Sequence, residues 1–196
     1  MFIERSPTTN PRKGCIEVIC GSMFSGKTEE LIRRLNRAKI ANQKVEIFKP
    51  IIDQRYHATD VVSHNATTIR ATPIKHAQNL LLLSEGIEVV GIDEAQFLDT
   101  SLVDVVQHLA SNGTRVVLAG LDMDFAGKPF GIMPQLMAVA EFVTKVNAIC
   151  MVCNDIATHS FRKTHDNSTV VVGESNIYEA RCRYCFNEGM KNRPST

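Results

Sequence analysis

The sequence predicts an α/β fold, in which a mostly parallel sheet carries helices on both faces, followed by a small C-terminal module of a different kind. Short apolar runs alternate with helical segments through residue 148, and this alternation is typical of parallel sheets. From Cys150 onward, short β-rich pieces, polar residues and paired cysteines replace it. We therefore predict a flexible lead-in over 1–13, an α/β domain over 14–149, a C-terminal module over 150–190 and a flexible tail over 191–196.

Five buried strands are predicted from apolar runs bounded by turn residues. They are Cys15–Cys20, Val45–Lys49, Ile87–Ile92, Arg115–Ala119 and Phe142–Ala148. Helices are predicted over Thr28–Ala41, Lys75–Ser84 and Leu98–Ser111, where composition and apolar spacing fit a helix. The polar stretch Ile51–Pro73 is predicted to be a loop or exposed hairpin, and Leu121–Met133, with Gly127, Gly131 and Pro129, a mobile loop.

Composition limits the class of protein. The 196 residues are 44% hydrophobic and 22% charged, with a formal net charge of +1. Such a chain can bury one sizeable core, and its charge gives no single-sign field that would attract nucleic acid or a membrane. The polar N-terminal residues lack the apolar centre of a signal peptide, so we expect a cytoplasmic protein.

The segment between the first strand and the first helix, Gly21–Thr28, matches the pattern Gly-x-x-x-x-Gly-Lys-Ser/Thr. Glycines let several backbone N–H groups point at one phosphate, at the positive end of the helix dipole. Lys27 adds a point charge for the β- and γ-phosphates, and the Thr28 hydroxyl suits Mg²⁺. The sequence therefore predicts a P-loop that binds a nucleoside triphosphate.

An acidic pair, Asp93-Glu94, follows the apolar run that ends at Ile92. In open α/β sheets, ligands bind beyond the carboxyl ends of the strands. Asp93 suits a hold on Mg²⁺, and Glu94 is placed to act on a nucleophile beside the γ-phosphate. The pair alone does not distinguish water from an alcohol as that nucleophile, so an NTPase and a kinase both remain open at this point.

Four cysteines form two Cys-x-x-Cys pairs, Cys150 with Cys153 and Cys182 with Cys185, separated by 28 residues. Two such pairs complete a tetrahedral zinc site. A redox role for either pair would not explain why two pairs flank one module. We predict a structural zinc ribbon, and we interpret Cys15 and Cys20, which fall on the first strand, as buried apolar residues.

The combined motifs resemble the thymidine kinases of the small, zinc-containing type, also called type II. The resemblance is carried by the P-loop written Gly-Ser-Met-Phe-Ser-Gly-Lys-Thr and by Lys49-Pro50, Asp53-x-Arg55-Tyr56, Ser63-His64, Asp93-Glu94-Ala95-Gln96-Phe97, Gly120-Leu121-Asp122 and Lys128-Pro129-Phe130-Gly131. The cysteines occur where that family has its zinc ribbon. The resemblance covers Gly14 to Phe186.

The resemblance implies a kinase that transfers the γ-phosphate of ATP to the 5′-hydroxyl of thymidine, and also of deoxyuridine, in pyrimidine deoxynucleotide salvage. It implies Glu94 as the general base, with Thr28 and Asp93 serving Mg²⁺. The residues it implies for ATP binding are Gly21, Ser22, Met23, Phe24, Ser25, Gly26, Lys27, Thr28, Asp53, Arg55, Asp93 and Gln96.

The nucleoside site is also implied by the resemblance. Met23, Phe97, Leu121, Phe125 and Phe130 match the enclosing surface of the base, and Ser160, Val172, Gly173 and Tyr178 match a lasso loop of the zinc module. The family further implies a homotetramer and feedback inhibition by thymidine triphosphate, with no nucleic-acid or membrane partner. The alternatives are a P-loop ATPase whose ribbon binds nucleic acid, and a nucleotide-binding regulator without turnover.

Overall fold

The computed structural model describes residues 14–52, 60–62, 68–164 and 177–192. In chain order the strands are β1 Cys15–Gly21, β2 Val45–Pro50, β3 Asp60–Val62, β4 Thr68–Arg70, β5 Thr72–Ile74, β6 Val89–Ile92, β7 Arg115–Leu121, β8 Phe142–Val146, β9 Ala148–Ile149, β10 Ile156–Ala157, β11 His159–Arg162 and β12 Tyr178–Arg181. The helices are α1 Lys27–Ile40, α2 Asn79–Leu83, α3 Leu102–Ser111, α4 Met133–Val139 and α5 Arg183–Lys191, and Ala95–Phe97 form a 3₁₀ turn.

Six strands form one sheet in the order β5-β2-β6-β7-β1-β8. Each neighbouring pair in it is parallel, which confirms the predicted α/β class. The β1 strand lies between β7 and the edge strand β8, so the phosphate loop that follows β1 emerges at the carboxyl edge of the sheet, beside the end of β7. Since ligands of open α/β sheets bind at this edge, the fold brings the ends of β1, β6 and β7 to one place.

The sheet is covered on both faces. Leu31, Leu35 and other apolar residues of α1 pack on one face against odd-numbered residues of β1 and β7. On the other face, α2, α3 and α4 pack against the even-numbered residues of the same two strands. Because successive residues of a strand point to opposite faces, strands buried on both sides read as continuous apolar runs, as β1 and β7 do.

A buried ion network fixes α1 against the sheet. Arg34 of α1 donates to Glu17 of β1 at 2.8 Å and to the Thr144 hydroxyl of β8 at 2.9 Å. Arg115 of β7 approaches the same Glu17 carboxylate at 2.7 Å. The side chains of Glu17 and Arg34 have 0% exposure. Two cations share one carboxylate, so the network joins three strands to α1.

Beyond the parallel sheet, the chain forms short antiparallel pairs. The β9 strand pairs with β10, and β11 pairs with β12. Three of the four C-terminal cysteines, together with Ala148, Ala157 and Ala180, form a small buried cluster, against which Phe24 packs from the phosphate loop. We call the described residues from 148 onward the ribbon segment; the domain boundaries given above stay predictions.

The structure differs from the prediction at several elements. The edge strand β5 and the helix α4 were not predicted, and α2 is shorter than the predicted helix. The β3 and β4 strands pair antiparallel, which agrees with the hairpin alternative predicted for Ile51–Pro73. In the predicted mobile loop, Asp124 N donates to Lys128 O at 2.8 Å and Phe130 N to Asp122 O at 3.0 Å. Among the described residues, no helix is long and apolar enough to cross a membrane.

Candidate active site

The phosphate loop begins at Gly21, the last residue of β1, whose backbone lies close to the neighbouring strand β8. A Cβ at this position would lie 2.1 Å from the Val146 carbonyl oxygen of β8. At the far end of the loop, Gly26 adopts a left-handed conformation with φ 82° and precedes α1. Only glycine reaches such conformations without steric cost. The two glycines of the pattern therefore allow the close entry to the loop and the turn into α1.

Two side chains hold the loop in a closed curve. Ser25 Oγ donates to the Ser22 carbonyl at 2.8 Å, and Lys27 Nζ donates to the same carbonyl at 2.7 Å. Lys27 is 8% exposed, so its charge lies within the loop rather than in solvent. An ammonium held there faces the concavity where helix N-terminal amides favour an anion.

Thr28 and Asp93 meet at the edge of the sheet. The Thr28 hydroxyl donates to Asp93 Oδ2 at 3.2 Å. Neighbouring ligands of octahedral Mg²⁺ lie about 3 Å apart, since each Mg–O distance is about 2.1 Å. A hydroxyl and a carboxylate at this separation are oxygen ligands of the type that Mg²⁺ prefers, so the pair fits one shared cation.

Glu94 is held in an unusual backbone conformation directly after Asp93. Its φ and ψ are 51° and 41°, in the left-handed region, which non-glycine residues enter at a cost and most often at functional sites. Gln96 Nε2 donates to Glu94 Oε2 at 2.5 Å, and Gln96 Oε1 accepts from Leu121 N at 3.0 Å. Gln96 thus braces the carboxylate against the end of β7.

The aromatic residues predicted for the nucleoside site lie in two groups. Phe97 and Phe130 meet edge to face, with ring centroids 5.7 Å apart. Phe125 lies against the Arg162 guanidinium, 3.8 Å from Cζ to the ring centroid. The Arg162 Nε donates to the Tyr178 hydroxyl at 3.0 Å. The sheet side and the ribbon segment are therefore linked through Arg162.

A hydrogen bond joins the phosphate loop to the ribbon segment. Met23 N donates to Ser160 Oγ of β11 at 2.9 Å. Met23 lies within the loop, whereas Ser160 follows it by 137 positions along the chain. This contact brings one predicted lasso residue to the loop itself.

The four C-terminal cysteines converge. Their Sγ atoms all lie within 4.8 Å of one another, and Cys153 Sγ lies 3.7 Å from Cys182 Sγ. Four thiolates around tetrahedral Zn²⁺ lie about 3.8 Å apart, since each Zn–S distance is about 2.3 Å. The cluster therefore fits zinc, with a closed set of four sulfur ligands.

The peptide backbone favours a thiolate at Cys150. Burial would raise the pKa of this thiol, but N–H groups of Cys182, Cys153 and Val152 point at the sulfur and lower the pKa to about 6. At Cys20, by contrast, burial and the nearby Asp122 carboxylate raise the pKa to about 11. Cys20 therefore remains a neutral thiol, and Cys15 is buried too, in agreement with the prediction for both.

The family model described as thymidine kinase matches residues 14–186. The chain belongs to the thymidine kinase family. The resemblance stated from the sequence motifs is confirmed, and the converging cysteines agree with the zinc ribbon expected for that family.

Individual thymidine kinases are similar over most of their length. One from Porphyromonas gingivalis is 58% identical over 184 residues, which cover 94% of this chain and 90% of the relative. One from a Rhodothermus species is 60% identical, covering 88% of this chain and 81% of the relative. One from Bacteroides thetaiotaomicron is 56% identical, covering 95% and 94%.

In this member of the thymidine kinase family, most of the predicted site residues that the structure describes lie near the carboxyl edge of the sheet. The loop residues, Asp93 and Glu94 lie together there, and Gln96, predicted among the nucleotide contacts, donates to the Glu94 carboxylate. Asp53 and Arg55, predicted for ATP, lie outside the described residues. So do Val172 and Gly173 of the predicted lasso.

Two residues near the site were not predicted from the sequence. Arg162 contacts Phe125 and Tyr178, and Lys145 of β8 reaches the buried Asp122 carboxylate, with Nζ 2.5 Å from Oδ2. The only signal for Arg162 was its place two positions after Ser160 in a short β run, which puts both on one face of a strand.

Proposed function

We propose that this protein is an ATP-dependent kinase that transfers the γ-phosphate of ATP to the 5′-hydroxyl of thymidine. The observation that carries the proposal is the meeting of Thr28, Asp93 and Glu94 beside the phosphate loop, in a chain of the thymidine kinase family. Deoxyuridine, which differs from thymidine by one methyl group, is proposed as a second acceptor.

The phosphate loop binds the donor. Backbone amides from Gly21 to Thr28 bind the phosphates, and Lys27 moves its ammonium from the Ser22 carbonyl to the β- and γ-phosphate oxygens. Thr28 and Asp93 hold Mg²⁺, which when bound neutralises charge on the phosphates. Positioning and charge neutralisation account for most of the catalysis of phosphoryl transfer.

Glu94 accepts the proton of the 5′-hydroxyl as its oxygen attacks the γ-phosphorus and the bond from that phosphorus to the bridging oxygen breaks, which releases ADP. Gln96 holds one carboxylate oxygen of Glu94 through its amide. General base catalysis of this kind contributes about 10²- to 10⁴-fold to the rate. The ordering of the carboxylate by Gln96 supports this assignment, because the base must lie within hydrogen-bond reach of the hydroxyl.

The acceptor base binds between the sheet side and the ribbon segment. Met23, Phe97, Leu121, Phe125 and Phe130 are proposed to enclose it from the sheet side. Ser160 and Tyr178, with Val172 and Gly173 of the lasso, are proposed for the other side. Aromatic and apolar walls suit a flat pyrimidine, and the proximity of Ser160 to Met23 supports a base site next to the donor loop.

The remaining proposals concern cofactor, assembly and regulation. Zinc at Cys150, Cys153, Cys182 and Cys185 is proposed as a structural ion of the ribbon. Family membership supports a homotetramer, feedback inhibition by thymidine triphosphate and a cytoplasmic location. It also supports division of the chain into an α/β domain and a zinc-ribbon domain at residue 150.

The proposed reaction is tested by ADP release with ATP, Mg²⁺ and each deoxynucleoside in turn. We expect thymidine to stimulate ADP release strongly and purine deoxynucleosides to have little effect. Formation of thymidine 5′-monophosphate should match ADP release one to one. Equal ADP release with no nucleoside present would show an ATPase and contradict the proposal.

Glu94→Gln tests the assignment of Glu94 as the general base. We expect turnover to fall by about 10²- to 10⁴-fold, while affinity for ATP stays close to that of the wild type, because the amide keeps the shape of the carboxylate. ATP affinity is measured by equilibrium titration and turnover by product formation. A variant with near-normal turnover would remove Glu94 from the mechanism.

A further inference from the structure

Arg162 is a buried cation placed against two aromatic side chains. Only 1% of the residue is exposed. Its Cζ lies 3.8 Å from the centroid of the Phe125 ring and 5.3 Å from that of the Tyr178 ring. Attraction between a guanidinium and a ring face strengthens when both are removed from water, so these contacts hold the two rings firmly.

The two rings belong to distant parts of the chain. Phe125 lies in the loop between β7 and α4, while Tyr178 lies on β12 directly opposite Arg162 in the β11–β12 register. The Nε atom of Arg162 donates to the Tyr178 hydroxyl at 3.0 Å. One side chain therefore sets where a loop of the sheet side meets the ribbon segment.

The same face of β11 also contacts the phosphate loop. Ser160 and Arg162 are two positions apart in a strand, so their side chains point to the same side. Ser160 Oγ accepts from Met23 N at 2.9 Å. This face of β11 thus meets the donor loop at Ser160 and the proposed acceptor wall at Arg162.

We infer that Arg162 is a positioning residue that sets the placement of Phe125 and Tyr178 around the base of a pyrimidine deoxynucleoside. The inference rests on the proposed function, because it takes these two rings as walls of the acceptor site. The described residues proposed to hold ATP and its Mg²⁺ are those of the phosphate loop and Asp93, which directly follows β6. A change at Arg162 should therefore alter the KM for the nucleoside more than the KM for ATP or kcat.

Arg162→Lys is the direct test. Lysine keeps the positive charge but loses the planar guanidinium that stacks on rings and donates in a fixed geometry. We expect the KM for thymidine to rise about tenfold, which corresponds to the loss of one strong contact of this type. We expect kcat and the KM for ATP to stay within about twofold of the wild-type values.

Phe125→Leu provides a second variant that leaves Arg162 in place. It removes one ring from the guanidinium and should raise the KM for thymidine in the same direction. In the double variant the two effects should combine to less than their product, because both changes break the same contact. Such coupling would not arise if each variant merely loosened the fold.

Arg181→Lys is the matched control. Arg181 also stacks on a ring, with Cζ 3.5 Å from the centroid of Phe161, and it bonds Glu179. It lies on β12 in the same antiparallel pair as Arg162 and Tyr178. We expect Arg181→Lys to leave the KM for thymidine within about twofold of the wild-type value.

Each outcome decides the inference. An unchanged KM for thymidine in folded Arg162→Lys overturns it. An equal rise in the KM for thymidine and the KM for ATP overturns it too. If Arg162→Lys does not fold, Arg162→Gln, which keeps a planar amide donor without the guanidinium, decides by the same criterion. A wild-type protein without turnover on thymidine instead overturns the proposed function, and the inference with it, so the two failures are distinguishable.

Discussion

Gln96 shows how one side chain can connect two strand ends. Its amide bonds both the Glu94 carboxylate and the Leu121 backbone, on either side of the edge where β6 and β7 end. The motif in the sequence predicted Gln96 as a nucleotide contact. The spacing alone could not reveal this brace, because Leu121 is 25 positions away along the chain.

Gln96→Leu should lower kcat without a matching change in ATP affinity. Leucine is close to glutamine in volume but makes neither hydrogen bond, so Glu94 loses its fixed orientation. We expect a loss in kcat of about tenfold to a hundredfold, as small misplacements of a catalytic group cause. Steady-state kinetics with thymidine and ATP varied separately measure both quantities.

Gln107→Leu is the control for the same chemical change. Gln107 is exposed on α3, and its Nε2 donates a long hydrogen bond to Val103 O at 3.3 Å. This variant should retain wild-type kinetics. Full activity of Gln96→Leu would show that the brace has no part in catalysis.

At the scale of elements, the Glu17 network gives α1 its fixed position on the sheet. Glu17→Gln leaves Arg34 and Arg115 without their shared carboxylate in a buried place. Removing one partner of a buried ion pair typically costs about 3–5 kcal/mol. We expect the free energy of unfolding to fall by roughly this amount, measured by the denaturant midpoint at unchanged slope.

An exposed ion pair provides the comparison for that result. Glu188 pairs with Lys191 on α5, and its side chain is 45% exposed. Glu188→Gln should change the free energy of unfolding by less than about 1 kcal/mol. Equal effects of the two substitutions would mean that the buried network adds nothing beyond a surface pair.

Glu30 on α1 gives a pH-dependent contribution to stability. Burial would raise its pKa, but hydrogen bonds from Arg33 and Arg34 outweigh this and lower the pKa below 4.5. A carboxylate with a lowered folded-state pKa stabilises the fold above its unfolded pKa, and this stabilisation is lost as the pH falls through the folded value.

The stability difference between wild type and Glu30→Gln should therefore be constant near neutral pH. It should shrink once the pH falls below about 4.5. Denaturant titrations of both proteins at several pH values measure the difference directly, so acid effects on the zinc site common to both cancel. A difference independent of pH would contradict the assigned pKa direction.

Four of the five strands predicted from the sequence, β1, β2, β6 and β7, are inner strands of the sheet. The fifth, β8, lies at the sheet edge and alternates between buried and more exposed residues. Strand β5 was missed because it has three residues, one of them Pro73, and lies at the sheet edge, where proline is tolerated. Helix α4 was not predicted because its seven residues are too few to show a clear helical period.

At the scale of the whole molecule, zinc binding by the four cysteines should determine whether the proposed thymidine site forms. Removal of zinc from four thiolates leaves the ribbon segment without its central ion. Structural zinc contributes directly to folding. We expect the metal-free protein to lose thymidine turnover while retaining affinity for ATP at the phosphate loop.

Metal analysis, thymidine turnover and ATP titration on the same chelated sample check this expectation. Re-addition of zinc under reducing conditions should restore turnover. Finding no zinc in freshly purified, reduced protein would contradict the assignment of the cysteine cluster. Loss of ATP binding with the metal would show that the two parts fold as one unit.

The sequence predicted the motifs of the candidate site better than it predicted the individual contacts between them. The phosphate loop, the acidic pair and the cysteine quartet are local patterns whose spacing carries their chemistry. Arg162 and the Met23–Ser160 hydrogen bond depend on how the ribbon segment packs on the sheet side. Such packing joins residues more than a hundred positions apart, and local patterns do not encode it.

One short connection affects how this protein could be redesigned. A single residue, Asn147, separates the end of β8 from the start of β9. Grafting the ribbon of a relative onto this chain therefore has a natural crossover point at Asn147. A chimera would also have to exchange the β7–α4 loop, because Phe125 in that loop contacts Arg162 and a Cβ at Gly127 would lie only 3.2 Å from the Phe186 ring.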